Sequence, residues 1–449
     1  MRSVDMLTDD NTDAGEGPEK VAGDAPDDVL VIGAGMAGIE ASLRLAQSGR
    51  KVHLVEERPC FGGSVIRFED IYPNMDCATC MIAPLQQDIL QNASIDLLTL
   101  STVEKVTRKD GKFNVRVKKR ARYVSDVACI GCGMCFEACP VSVDNAFEEG
   151  MSQRKAIYIP AAGALPNVPS IDTDNCVRWK GKECNVCVEA CMFEAILMDD
   201  KDEELDLKVG AILVATGYAL MDLRPLEHLG YGKVPGVYSS VELERMYASN
   251  GPTAGELKLA SGEAPKSVAI VQCVGREEKG YCSAVCCLYS LKFAHYFHHK
   301  LPDTKVHILH TDFCIPGKTH QRFRDRMVGH GAALVYATDV KVGKGSPGVK
   351  VTYKDAAGKG AELKVDMVVL APAFVPPEGM GELAKILDIP LHSSGFFEAG
   401  GNGGGPVSTA KEGIYVAGCA TGPKGISQVV KEADTAVAAI LSGDGGGVT

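Results

Sequence analysis

An apolar run, Val29-Leu30-Val31-Ile32, leads straight into Gly33-Ala34-Gly35-Met36-Ala37-Gly38 and then into residues of helical composition through Ala46. Gly49-Arg50-Lys51 breaks that helix, and Val52-His53-Leu54-Val55 makes a second strand ending in Glu56. Two parallel strands joined by a helix belong to a doubly wound α/β core, with a right-handed crossover and both sheet faces covered. Gly33 permits the tight turn, Gly35 lets backbone approach a pyrophosphate, and Gly38 lets helix pack on strand. The helix start offers free N–H groups and a positive dipole end to phosphate. Glu56 can accept both ribose hydroxyls, and its charge disfavours a 2′-phosphate. A chance glycine turn would not come with both strands, the helix and the acid, so a bound dinucleotide is expected.

Three later segments bear on which dinucleotide. Gly62-Gly63 follows the acid closely, as in two-domain flavoproteins, where such a doublet lets backbone pass beside the pyrophosphate. Residues 211–217 form a strand entering the turn Ala215-Thr216-Gly217. Residues 413–419 form another, ending in Gly418-Cys419 before a helical run over 426–441. These segments resemble the FAD-domain motifs of the thioredoxin-reductase-like flavoproteins, which implies FAD. In many of those proteins an Asp follows the last glycine and bonds the flavin side chain; here Cys419 stands there. Lys424, in Gly422-Pro423-Lys424-Gly425, is a candidate to stabilise reduced, anionic flavin.

The 17 cysteines are an odd number, and no secretory signal precedes the first strand, which argues for metal or redox thiolates over disulfides. Eight of them fall in two runs. Cys129-x2-Cys132-x2-Cys135-x3-Cys139-Pro140 has the spacing of a bacterial ferredoxin, whose fourth Cys serves the other cluster. Cys176-x7-Cys184-x2-Cys187-x3-Cys191 repeats it with a widened first gap, filled by a surface bulge around Trp179, and with Met192 where Pro is common. Pseudo-twofold swapping predicts one [4Fe-4S] cluster on Cys129, Cys132, Cys135 and Cys191 and another on Cys176, Cys184, Cys187 and Cys139. Every iron is then capped by thiolate, so electron transfer is the expected use.

The phrases Tyr72-Pro73-Asn74-Met75-Asp76-Cys77-Ala78-Thr79-Cys80, Lys118-Lys119-Arg120-Ala121-Arg122-Tyr123-Val124 and Arg154-Lys155-Ala156-Ile157-Tyr158-Ile159-Pro160 flank these runs. With them, residues 29 to about 441 resemble the large iron–sulfur flavoprotein component of heterodisulfide reductase and its relatives. The resemblance implies FAD, several [4Fe-4S] clusters and a cytoplasmic complex that splits or merges electron pairs, with other subunits and an electron donor or acceptor protein as partners. It leaves open a homodimer within the complex, flavin-based bifurcation and the direction of flow. Archaeal members carry an extra N-terminal region and C-terminal ferredoxin repeats, so a shorter form is expected here.

A second nucleotide-like domain is expected over 241–365, opening on the strand Ser267–Val271. Where a pyridine nucleotide needs GxGxxG, the chain has Cys273, Cys282, Cys286 and Cys287 instead. C-x8-C-x3-C-C is not a ferredoxin spacing, and adjacent helical cysteines diverge, so both serve one cluster only if the helix start is irregular. The resemblance implies a non-standard third [4Fe-4S] cluster in this stretch; the plain reading is a cysteine group packing a helix start.

Five cysteines remain: Cys60 reads as packing, Cys77 and Cys80 as a loop pair or redox dithiol, and Cys314 and Cys419 are unassigned. His295, His298 and His299 read as exposed helical histidines, and Arg116–Arg122 as a solvated strand end. Net charge is −11, of which residues 1–28 contribute −7, so the acidity belongs to a tail and the electrostatic footprint of a nucleic-acid binder is missing. No apolar run reaches the ~18–20 residues of a membrane span.

The expected architecture is a thioredoxin-reductase-like two-domain flavoprotein of α/β class, two Rossmann-like domains with an inserted α+β bacterial-type ferredoxin domain. Its parts are an acidic tail (1–28), FAD-binding segments (29–118, 201–240, 366–441), the ferredoxin-like insert (119–200), the second domain (241–365) and a flexible Gly-rich end (442–449). The expected function is that of an electron-transfer oxidoreductase component with no substrate pocket of its own. A self-contained NAD(P)H-dependent flavin reductase, of the glutamate synthase small-subunit type, is the alternative, and it would need the second GxGxxG. A scaffold with vestigial cofactors is a third.

Overall fold

A computed structural model describes residues 27–400 and 405–443 of the chain; most of the acidic tail and of the Gly-rich end lies outside the described residues. Short, fully apolar strands dominate two parallel sheets, because a strand covered by helices on both faces has no polar side to present. The first sheet runs in the order Ile414–Val416, Ala211–Val214, Val29–Ile32, Val52–Val55, Ile95–Leu98. Helices Met36–Gln47 and Ile426–Gly443 pack on one face around Ile39, Leu43, Ala433 and Val437. The other face is covered by the antiparallel ladder Glu203–Val209, Lys112–Lys119, Ser101–Lys109 and by the helix Met380–Leu387.

The second sheet repeats the plan: Val237–Ser239, Met367–Pro372, Ser267–Val274, Lys305–His310, Ala333–Tyr336, all parallel, with a three-stranded antiparallel ladder between Thr338 and Val365. It extends beyond residues 241–365 at both ends. Val237–Ser239 and Met367–Pro372 both join this sheet, so the chain re-enters the FAD-binding part only after Pro372. Met-Val-Val-Leu-Ala-Pro is wholly buried, and an all-apolar strand carries no mark of the sheet to which it belongs.

The insert leaves the first ladder at Lys119 and returns at Glu203, residues paired across the same two strands. Its neck is tied by Ala121 N–H to Asp202 (3.0 Å), Tyr123 N–H to Asp200 (3.1 Å) and Lys118 to Asp202 (3.3 Å). Regular structure inside it is sparse: two one-turn helices, Met134–Ala138 and Val186–Glu189, and short strand pairs. Its core is built around Cys135, Cys139 and Cys187. The insert is pinned to the second domain by a buried bidentate ion pair, Arg245 to Glu148 at 2.8 and 3.0 Å.

Two expectations are corrected at this level. Arg122 is no solvated strand end: its guanidinium bonds the carbonyls of Val168 and Pro59 and the Thr99 hydroxyl, and burial pulls its pKa down. His295 and His298 are half-buried, and His298 stacks on His330 at 4.0 Å; His299 is exposed, as expected, and meets the Tyr247 hydroxyl at 3.1 Å. The helix carrying them packs into the domain centre on more than one side, which its sequence does not announce.

Candidate flavin and cluster sites

The first strand ends at Ile32 and the helix begins at Met36, so Gly33, Ala34 and Gly35 make the whole turn. Gly33 takes φ +102°, and a Cβ there would lie 2.5 Å from the Ala215 carbonyl oxygen. At Gly38 a Cβ would fall 1.9 Å from the Gly33 oxygen, so helix and turn touch. Gly63 comes against Gly35, where its Cβ would meet the Gly35 Cα at 2.8 Å, and the Gly62 N–H bonds the Ala34 carbonyl at 2.8 Å. Two glycine segments therefore face each other with no side chain between them.

Glu56 stands at the end of the next strand. It accepts the Ala34 and Arg58 amides at 3.0 Å each, which leaves a lone pair on each oxygen for further donors. Burial pushes its carboxyl up, against the pull of those two amides. Thr216, between Ala215 and Gly217, has a buried hydroxyl with no hydrogen-bond partner among the described residues. A glycine cradle, an acid at the strand end and a stranded hydroxyl fit an FAD pyrophosphate and ribose.

Lys424, the candidate to stabilise reduced flavin, is ion-paired. Its ammonium is held at 2.7 Å from both oxygens of Glu432, which also accepts the Gly418 N–H at 3.0 Å. Glu432 was not among the expected site residues; on the helix after Lys424 it could be one of several surface acids until the fold brings it back. Cys419 is buried, its thiol facing the Lys424 carbonyl at 3.5 Å, and burial pushes it up to about 11. A neutral thiol does not replace the accepting carboxylate that other flavoproteins carry.

In the insert, Cys139 lies on one small cavity with Cys176, Cys184 and Cys187, walled by Val141, Ile157, Ile171 and Met198. This grouping sets Cys139 beside three cysteines of the second run. Cys129 lies near Cys135, and Cys191 packs into the same core; Cys132 is exposed. Burial pushes the free thiols of Cys135 and Cys187 up to about 12 and 11. Backbone amides already point at sulfur: Gly131 to Cys129 and Ala195 to Cys191, each at 3.4 Å. Among the described residues no three His, Cys, Asp or Glu side chains close on a point fit for one metal ion. A four-iron cluster spreads its thiolates over the corners of a cube, so the cysteine-lined cavity fits a cluster better than a single ion.

The second domain's cysteines gather where its strand passes into its helix. The central strand Ser267–Val274 bulges, with Cys273 at φ +59°, and Ala284 sits at φ +55°. Such backbone is strained for residues other than glycine and re-aims side chains. The helix Cys286–Lys300 starts on the cysteine pair itself, so both lie in its first turn. The Cys286 thiol is pushed up by its hydrogen bond to Cys287, then by burial and by the nearness of Cys273 and Cys282. The same bond brings Cys287 down to about 7, helped by the Cys314 N–H at 3.3 Å. Met221 packs against this junction: a Cβ on Gly275 would lie 2.2 Å from its sulfur.

Cys77 and Cys80 are exposed at the start of a helix, Ala78–Gln91, which runs through Pro84. Cys77 caps it, its sulfur accepting the Cys80 N–H at 3.2 Å. The helix continues through Pro84, which leaves the Cys80 carbonyl without its usual backbone donor.

The FAD dependent oxidoreductase family matches residues 28–67, and the 4Fe-4S dicluster domain matches residues 128–195. Against whole proteins the likeness runs through nearly the entire chain. The A component of the H(2):CoB-CoM heterodisulfide,ferredoxin reductase of Methanothermobacter marburgensis is 38% identical over 421 residues, 92% of this chain. Over most of its length the chain resembles the HdrA-like iron–sulfur flavoproteins of heterodisulfide reductase. The corresponding iron–sulfur component of the CoB--CoM heterodisulfide reductase of Methanocaldococcus jannaschii is 36% identical over 438 residues, 94% of this chain. This HdrA-like chain spans 63% and 65% of the lengths of those two relatives. Its fold is that of thioredoxin reductase: the Lactococcus lactis enzyme aligns with a TM-score of 0.52 at 14% identity, covering 93% of this chain and 98% of that one. The T. acidophilum thioredoxin reductase gives 0.50 at 13%, covering 94% and 99%. No helix among the described residues is long and apolar enough to cross a membrane.

Proposed function

We propose that this chain is the flavin- and cluster-bearing electron-transfer component of a heterodisulfide-reductase-like complex. FAD exchanges electrons in pairs or singly, and [4Fe-4S] clusters carry them singly. Two clusters belong to the insert, on Cys129, Cys132, Cys135 and Cys191 and on Cys139, Cys176, Cys184 and Cys187. A third belongs to Cys273, Cys282, Cys286 and Cys287.

The observation that carries this reading is the position of the last group. It occupies the strand-to-helix junction at which a thioredoxin-reductase-like domain would hold a pyridine nucleotide, and cysteines stand there in place of a GxGxxG run. A domain so altered serves single electrons where hydride would otherwise arrive. The same observation disfavours a self-contained NAD(P)H reductase.

The insert's surface supports an exit to a partner protein. Val127, Ile130, Met134, Met192 and Phe193 are exposed around the ferredoxin-type cysteine runs. Apolar side chains concentrated beside electron carriers suit a protein interface. Partners expected on the relatives' names are the other components of such a complex.

Anaerobic reconstitution tests the reading. The full chain is expected to take up FAD and about twelve iron atoms, and its flavin is expected to stay oxidised on mixing with NADH or NADPH alone. Uptake of fewer than about eight irons, or rapid flavin bleaching by either nucleotide, would overturn it.

A further inference from the structure

Beside the third cysteine group lies Gln272, buried in the bulged stretch of the central strand between Val271 and Val274. Its side-chain oxygen faces the Cys287 sulfur at 3.5 Å, the thiol donating. Its Nε2 has no hydrogen-bond partner among the described residues. A buried amide N–H without an acceptor is costly and asks for an explanation.

Ligation of iron by Cys287 supplies one. A thiolate has no proton to give, so the amide oxygen would face an electron-rich sulfur. The two ends of a glutamine amide exchange places by a half-turn of its terminal bond. That turn sets the stranded N–H on the sulfur, beside the Cys314 N–H already aimed there at 3.3 Å.

We propose that Gln272 donates its side-chain N–H to the Cys287 thiolate of the third cluster and thereby holds that cluster's reduction potential up. This rests on the third-cluster reading above. On reduction the cluster gains one electron and one negative charge; no covalent bond is made or broken. A donor at the sulfur favours the more negative, reduced form.

The test uses the anaerobically reconstituted full chain, with redox titration followed by electron paramagnetic resonance. Gln272→Met keeps the length and removes donor and acceptor; Gln272→Glu keeps the shape and removes the donor. Both are expected to move the third cluster's midpoint to more negative potential, leaving iron content, the ferredoxin-type clusters and the flavin unchanged. In unsubstituted protein labelled with 15N at the glutamine side chain, the reduced third cluster is expected to show a 15N coupling. An unmoved midpoint in a fully loaded variant overturns the proposal. If the variants lose the cluster, absence of the 15N coupling in the unsubstituted protein overturns it. Uptake of only about eight irons by the unsubstituted chain defeats the third-cluster reading itself, and the iron count tells the two failures apart.

Discussion

At Gly38 the first turn and the first helix leave no room for one carbon atom, with the Gly33 oxygen 1.9 Å from any Cβ. Gly38→Ala is expected to cost about 1–3 kcal/mol of stability by overpacking and to lower flavin content; a thermal melt and flavin absorbance check both. Cys184→Ser is expected to remove one cluster, about four irons, while leaving flavin bound, as read by iron analysis. Residues of this kind were legible because their chemistry fixes their spacing: glycines at a phosphate turn, thiolates around a cube. The partner of Lys424 and the place of Gln272 were not. A charge beside a glycine loop does not reveal that Glu432, eight residues on, will neutralise it. Nothing in Val271-Gln272-Cys273 says that the amide is buried beside a sulfur contributed from the far side of the loop.

Between elements, the buried contact of Lys292 with Glu244 joins the cysteine helix to the helix Ser240–Tyr247, and Lys292 also bonds the Asp70 carbonyl at 3.0 Å. The Asp70 side chain beside it is pushed up to about 6, chiefly by burial; Lys292 opposes the shift, and Glu69 and Glu244 add to it. Its folded-state value lies above the ~3.9 of an unfolded Asp. The stability it contributes is complete below that unfolded value and is lost as pH rises through about 6. Asp70→Asn is expected to raise the melting temperature at pH 7 relative to the parent and to flatten its dependence between about pH 4 and pH 7; calorimetry across that range checks it. Strands such as Val29–Ile32, Val52–Val55 and Ala211–Val214 stood where their apolar runs put them. Sheet membership was less legible. Met367–Pro372 is as apolar as Ala211–Val214, and only long-range pairing decides which parallel sheet receives it.

Across the whole molecule, the insert and the two nucleotide-type domains are locked by a few buried charges. Arg245→Met would leave Glu148 buried without its partner, and a loss of about 3–5 kcal/mol is expected, read from denaturant unfolding of the reconstituted chain. Arg245 and Glu148 are far apart in sequence and neither belongs to a motif, so nothing short of the fold pairs them. The overall plan was legible because it is written in repeats: two βαβ-type openings and two cysteine runs, each at a spacing dictated by its ligand.

The hairpin that closes at Lys119 and Glu203 bears on how such a molecule is made. Both strands find their register without help from the residues between them, and lengthening the connecting loop adds little to the entropy of closing it. The first parallel sheet and its ladder are therefore expected to form without iron, while the insert, with Cys135, Cys139 and Cys187 in its small core, is expected to gain order from its metal. Iron-starved cells are expected to yield chains that hold flavin and show rapid hydrogen exchange confined to the insert. Iron supplied afterwards is expected to slow that exchange without a change in flavin content.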